Sequence, residues 1–200
     1  MTNKKLNKKK SKILSKNVNS AQKTPKMRLP KAKDPSKLGG GLIGVVTSRF
    51  NSEVTDKLKE GALARLSELG FSESQILVCD VPGAYEIPLA AKLMLKNGVK
   101  GVIALGAVIR GETTHYDYVC SSVERGCSKL QLKYTKPVVF GVLTTENEEQ
   151  ALDRVGGAHG HKGRDAADTL AEMLGLVQVF KNKKSNKNNV NKKEKSYAGN

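Results

Sequence analysis

The sequence has few residues of the kinds that crosslink a fold or anchor a chain in a membrane. Its 200 residues include no tryptophan, four phenylalanines, five tyrosines and three cysteines. Cys79, Cys120 and Cys127 are odd in number and form no C-x-x-C pair, so we expect reduced, buried thiols. No stretch approaches the ~18 consecutive apolar residues of a membrane span, and the basic N-terminus lacks the apolar core of a signal peptide. These absences predict a soluble, cytoplasmic protein.

Acidic residues are nearly absent from both ends of the chain. Residues 1–40 hold 13 Lys and Arg against the single acid Asp34, and residues 181–200 hold seven against Glu194. Residues 41–180 hold 15 basic and 17 acidic residues, so the net charge of +16 belongs to the two ends. The folded part is close to neutral, and the charge therefore does not indicate a basic nucleic-acid-binding domain.

The two basic ends, called the arms below, also lack the apolar spacing that buries a face. We predict a disordered N-terminal extension over 1–38, one folded domain over 39–180 and a disordered Lys/Asn-rich tail over 181–200. Two interpretations of the arms stay open: non-specific binding of anionic polymers through counterion release, or a solubilising extension. A transit peptide is a further alternative, because the first 33 residues contain no acid, although arginine enrichment is missing.

Continuous apolar runs alternate with helical periodicity between the arms. The runs predict strands at 42–46, 76–78, 102–105 and 138–143, and the periodicity predicts helices over about 52–69, 85–96, 116–134, 147–155 and 163–174. Runs without polar alternation are typical of strands buried on both faces. The pattern predicts an α/β protein with three layers, in which helices cover both faces of a four-stranded parallel sheet, as in flavodoxin-like folds.

Ligands of such sheets bind beyond the carboxyl ends of the strands. Two glycine-rich segments of the chain are similar to nucleotide-binding loops. Residues 106–113 match the phosphate-loop template except that Glu112 occupies the lysine position. A carboxylate there would repel phosphate, which excludes nucleotide hydrolysis. Residues 39–41 are three glycines that precede a strand, so they do not form a dinucleotide-binding loop either.

The predicted start of the third helix offers an anion site without a lysine. The segment Gly111–Thr114 would present free N–H groups at the positive end of the helix dipole, although capping by Thr114 or Asp117 explains the spacing equally well. His115 follows in the first turn, either as a group that transfers protons or as a surface residue.

A glycine-rich loop near residue 160 carries the remaining candidates. Arg154 and Lys162 flank it, and they would either clamp an oxyanion or point into solvent. His159 and His161 lie in the loop without a carboxylate or cysteine at ligand spacing, so we predict no metal site.

Five segments together carry a resemblance to a known family. In order along the chain they are Ser48–Asn51, Val81–Pro88, Gly106–Asp117 and Pro137–Thr144, followed by Gly160–Gly163. This arrangement resembles the lumazine synthase family over about residues 41–176, and neither arm is part of the resemblance. It implies condensation of 5-amino-6-ribitylaminouracil with 3,4-dihydroxy-2-butanone 4-phosphate, without a metal or organic cofactor. A non-catalytic, flavodoxin-like module that binds a flavin or a phosphate compound is the competing hypothesis.

The resemblance also implies roles for individual residues. Phe50 would stack on the pyrimidine, His115 would move protons, and Arg154 and Lys162 would supply positive charge to the substrates. The remaining binding residues would be Ala84, Tyr85 and Glu86 for the ribityl chain, Ala107, Val108 and Ile109 for the pyrimidine, and the backbone of Gly111, Glu112 and Thr113 for the phosphate. In this family the pocket lies between subunits of a homopentamer, so Phe140, Arg154 and Lys162 would come from the neighbouring chain. Whether pentamers assemble into an icosahedral shell stays open. His161 departs from the asparagine that is common there.

Overall fold

Strands and helices alternate along residues 41–197, the part of the chain that the computed structural model describes. The elements are β1 Ile43–Ser48, α1 Ser52–Glu68, β2 Ile76–Val81, α2 Ile87–Lys96, β3 Val102–Ile109, α3 His115–Tyr134, β4 Val138–Thr145, α4 Glu148–Leu152, β5 Val155–Gly157, β6 Gly160–His161 and α5 Lys162–Tyr197. All four predicted strands and all five predicted helices are present. The predicted disorder of residues 1–38 concerns residues outside the described part.

The four long strands form one parallel sheet in the order β2-β1-β3-β4. Successive residues of β1 enter different cores, because side chains alternate across a strand. Val45 packs with Leu58 of α1 and Leu170 of α5 on one face, and Val46 packs with Ile87 of α2 and Val123 of α3 on the other. The predicted three-layer α/β/α architecture is confirmed.

The prediction of burial on both faces is wrong for β2. This strand lies at one edge of the sheet, and Leu77 and Val78 each remain 43% exposed. The central strand β1, by contrast, is buried at every position. A continuous apolar run therefore identified the strand but not its place in the sheet, because an edge strand has a neighbour on one side only.

Two helix boundaries and one hairpin differ from the prediction. A turn of 3-10 helix at Ala84–Glu86 precedes α2, which begins at Ile87 instead of Tyr85. The glycine-rich break contains a small antiparallel hairpin of β5 and β6, which the sequence did not predict. The last helix continues to Tyr197 instead of ending near residue 174. Disorder of 181–200 stays a prediction, and residues 198–200 lie outside the described part.

The cysteines are only partly as predicted. Cys127 is buried, and burial raises the pKa of its thiol to about 12. Cys79 and Cys120 are half-buried, and all three are free. Within residues 41–197, no helix has the length and apolar character that crossing a membrane requires.

Candidate active site

A cavity of about 580 Å³ opens at the carboxyl ends of β1 and β3, beside the start of α3. Its walls come from three separate chain segments that the parallel sheet brings to one edge. Ten of the fourteen predicted site residues line it: Phe50, Ala84, Tyr85, Glu86, Ala107, Val108, Ile109, Gly111, Thr113 and His115. The cavity thus lies at the carboxyl ends of the strands, where the sequence predicted that ligands bind.

A tight turn after β1 presents Phe50 to this cavity. Asn51 adopts a left-handed backbone conformation with φ of 60°, and its side-chain Nδ2 donates to the carbonyl oxygen of Ala107 at 2.9 Å. The N–H of Phe50 donates to the carbonyl oxygen of Pro82 at 3.1 Å. The turn is therefore tied to two walls of the cavity, while the Phe50 ring stays 70% exposed and accessible to a ligand.

The turn before α2 forms a second wall. Glu86 Oε2 accepts a hydrogen bond from the N–H of Gly83 at 2.9 Å, which fixes the carboxylate next to the exposed Tyr85. Ala84 is buried beneath it. Within the described residues no donor engages the second oxygen of Glu86, so it can accept from a ligand hydroxyl.

The loop from β3 to α3 is exposed and has unused donors. In the described part of the chain, the N–H groups of Gly111, Glu112 and Thr113 have no protein acceptor. Thr114 occupies the N-cap position of α3 but makes no side-chain capping bond. Capping by Thr114 is therefore excluded, and the start of this 20-residue helix keeps its positive end open to an anion.

His115 is the first residue of α3, and it is exposed in the cavity wall. Its N–H lies 3.4 Å from Thr113 Oγ1. His115 lines the same cavity as Gly111 and Thr113 of the loop. Proton transfer to a bound ligand requires an accessible side chain of this kind.

Four cavity residues were not predicted as site residues. Pro82 and Gly83 belong to a segment that the sequence did single out, whereas Tyr116 and Val119 lie on the predicted third helix and were not singled out. Both are half-buried on α3, and Val119 also packs against the core. Partial burial raises the pKa of the Tyr116 hydroxyl. Helical spacing does not distinguish such a position from a core position.

Four predicted site residues do not line this cavity. Glu112 is exposed beside the cavity but does not line it. Phe140 and Lys162 line a groove of about 530 Å³ along α3, β4 and α5, and Arg154 lines a third depression with Asp153. One chain alone does not bring Arg154 or Lys162 into the cavity that contains His115.

The β5–β6 hairpin holds Arg154 and Lys162 in a fixed relation. The N–H of Lys162 donates to the carbonyl oxygen of Arg154 at 2.9 Å, and the Lys162 ammonium pairs with Asp165 Oδ2 at 2.8 Å. A hydrogen bond with His159 lowers the pKa of the Asp153 carboxyl group. Within the described residues, no group of three or more His, Cys, Asp or Glu side chains could hold a metal ion.

Comparison with known proteins identifies the family that this geometry belongs to. The sequence model of 6,7-dimethyl-8-ribityllumazine synthase matches residues 41–178. The 6,7-dimethyl-8-ribityllumazine synthase of Bdellovibrio bacteriovorus is 57% identical over 136 residues, which cover 68% of this chain and 75% of that protein. That of Coxiella burnetii is 50% identical over 137 residues, 68% of this chain and 91% of the relative. That of Helicobacter pylori is 46% identical over 144 residues, which cover 72% of this chain and 92% of the relative.

Proposed function

The chain belongs to the 6,7-dimethyl-8-ribityllumazine synthase family, and we propose that it condenses 5-amino-6-(D-ribitylamino)uracil with 3,4-dihydroxy-2-butanone 4-phosphate. The products are 6,7-dimethyl-8-ribityllumazine, phosphate and water, and the reaction is the penultimate step of riboflavin biosynthesis. The observation that carries the proposal is the single cavity in which an exposed phenylalanine, a carboxylate, open loop amides and a histidine meet.

The pyrimidine substrate binds at the β1 and α2 side of the cavity. The exposed ring of Phe50 stacks on the pyrimidine and orients its amine, while residues 107–109 form the apolar floor. The free oxygen of Glu86 and the backbone of Ala84 and Tyr85 bind the ribityl hydroxyls. Rigid walls are an advantage here, because the amine must approach the ketone carbon in one orientation.

The ketone phosphate binds at the α3 side. Open N–H groups of Gly111, Glu112 and Thr113 donate hydrogen bonds to its phosphate, and the positive end of the α3 dipole adds to the attraction. The amine attacks the ketone, the carbinolamine loses water to give an imine, phosphate is eliminated, and ring closure releases a second water. His115 moves protons in these steps, because histidine changes its protonation state near neutral pH.

The remaining charge comes from a second copy of the chain. Arg154 and Lys162 lie outside the cavity that contains His115, so a phosphate held there meets these cations only if a neighbouring subunit supplies them. We assign Phe140, Arg154 and Lys162 to the partner side of a shared site in a homopentamer.

Residues 39–180 form the catalytic domain, the protein acts in the cytoplasm, and the arms attract anionic polymers without specificity. A larger shell is an open alternative for the assembly.

Product formation tests the proposal directly. Purified protein receives both substrates, lumazine fluorescence is recorded, and the oligomer is sized in the same sample. We expect His115→Ala to lower kcat and Arg154→Ala mainly to raise KM for the ketone phosphate. An unchanged KM in Arg154→Ala would contradict the phosphate assignment. If the unmodified protein forms no fluorescent product, the non-catalytic flavodoxin-like module becomes the better interpretation.

Mixing two impaired variants tests whether the site is shared between subunits. His115→Ala and Arg154→Ala subunits are unfolded, mixed and refolded together, and activity is measured at a ketone phosphate concentration below KM. Random assembly around a ring would create about a quarter of sites with both native residues, and the activity of the mixture would rise above the average of the two variants. Each variant refolded alone is the control. If the mixture is no more active than the average of the two variants, both residues act within one chain and the shared site is wrong.

A further inference from the structure

Arg110 is the first residue of the loop that leads from β3 to His115. Its N–H donates to the carbonyl oxygen of Thr145 at 2.9 Å, which extends the pairing of β3 with β4 beyond the end of the strand. The backbone at this point is therefore anchored. Only four residues separate it from His115, so the position of the Arg110 side chain affects the whole loop.

The guanidinium of Arg110 makes three contacts that converge from two other elements. Its Nε donates to Glu146 Oε2, just after β4, at 2.8 Å. Its Nη2 lies 3.3 Å from Asp117 Oδ1, in the first turn of α3. Its central carbon lies 4.1 Å from the ring centroid of Tyr116. One planar group thus joins the end of β4 to the first turn of α3.

These contacts decide between two roles for the arginine. A phosphate-binding arginine keeps its donors free for the anion, whereas Arg110 directs donors at two carboxylates and lies over an aromatic ring. Arg110 is also absent from the residues that line the cavity. It acts on the neighbours of the site and not on the ligand.

The ion pair with Asp117 has an electrostatic consequence. Asp117 is the acidic residue in the first turn of α3, at the same helix end that the phosphate would approach. Pairing with Arg110 compensates part of this negative charge. An unpaired Asp117 would compete with a ligand for the open amides of the loop.

We propose that Arg110 is a positioning residue of the proposed reaction, and that it fixes the 111–114 loop and His115 by joining Glu146 to Asp117 and Tyr116. This inference rests on the proposed function. Lysine cannot replace the arginine fully, because an ammonium group lacks the planar fork that reaches two carboxylates and covers a ring at once.

Kinetics and amide exchange of Arg110→Lys and Arg110→Gln test the assignment together. We expect kcat to fall about 10- to 100-fold, which is the scale of misplaced catalytic groups. KM for the pyrimidine should stay unchanged within error, since Phe50 and Glu86 lie on other segments and residues 107–109 are held within β3. Hydrogen–deuterium exchange should accelerate in peptides that cover 111–117 and nowhere else. Arg164→Gln is the matched control, because Arg164 also bonds a carboxylate, Glu68, and neither residue lines the cavity.

Each outcome supports or overturns the role. Reduced kcat with faster exchange confined to 111–117 supports it, and Arg110→Lys provides the measurement if Arg110→Gln does not fold. Reduced kcat with unchanged exchange would show that Arg110 contacts the substrate, and unchanged kcat would show that it is dispensable; both overturn the proposal. If the unmodified protein forms no lumazine, the proposed function fails, while the exchange data still decide whether Arg110 orders the loop.

Discussion

Replacing Phe50 by alanine should weaken binding of the pyrimidine substrate while leaving the fold intact. The ring is 70% exposed and belongs to neither core cluster, so its removal takes little apolar surface from the interior. Surface substitutions of this kind change the free energy of unfolding by no more than about 0.5 kcal/mol. The backbone bonds of the turn, from Phe50 to Pro82 and from Asn51 to Ala107, do not involve the ring.

The same change should remove a stacking partner. Stacking of a base on an aromatic side chain contributes about 1–3 kcal/mol, which corresponds to a rise of about 5- to 150-fold in KM for the pyrimidine. The assay is steady-state lumazine fluorescence with the ketone phosphate at saturation, beside a thermal melt of the same preparation. Phe50→Tyr keeps the ring and should retain most of the affinity.

Two results would refute this reasoning. If Phe50→Ala leaves KM for the pyrimidine unchanged, the ring does not stack on that substrate. If Phe50→Ala and Phe50→Tyr lose activity to the same degree, some property other than the aromatic face is responsible. A large fall in Tm would show instead that the ring stabilises the folded chain.

Two further predictions concern stability. A Cβ added at Gly163 would clash with the carbonyl oxygen of Leu58, where α5 crosses α1, so Gly163→Ala should lower the free energy of unfolding by about 1–3 kcal/mol. Gly111→Ala, whose added Cβ would meet no atom within 4 Å, is the control, and equal Tm values for the two variants would contradict the packing argument. Hydrogen bonds from arginines, chiefly Arg164, lower the pKa of Glu68 from 4.5 to about 2, so the contribution of Glu68 to the free energy of unfolding is present above about pH 4.5 and is lost as the pH falls toward 2. In urea unfolding, Glu68→Gln should differ from the unmodified protein above this window and match it below. A difference that persists at pH 2 would exclude the charge as its source.

The sequence predicted the architecture well because the apolar runs are long and interrupted by clear stop signals. Gly70 ends the first helical stretch and Pro137 lies just before β4, and the structure places both boundaries within a residue or two. Edge position was not predictable in the same way. The run containing Leu77 and Val78 is as continuously apolar as the runs of the central strands, and only the pairing order of the strands shows that it forms an edge strand.

The site was predictable where its residues are close in sequence. Gly111, Thr113 and His115 follow one strand, and the parallel sheet places them beside Ala84 and Phe50, which the family resemblance had added to the predicted site. The contacts of Arg110 were not predictable, because they depend on where Glu146 and Asp117 lie in space. Val119 was not predicted to line the cavity for a related reason: a helix position at the border between core and cavity has the spacing of a core residue.

The walls around the proposed phosphate and ribityl subsites are made largely of main chain, from the turn before α2 to the loop before α3. Peptide groups are the same for every amino acid, so the exposed side chain at Glu112 can vary over evolutionary time without changing the donors offered to a ligand. Engineers seeking altered substrate preference would therefore gain little at that position. The protruding aromatic residue on the opposite wall is the more responsive target for redesign.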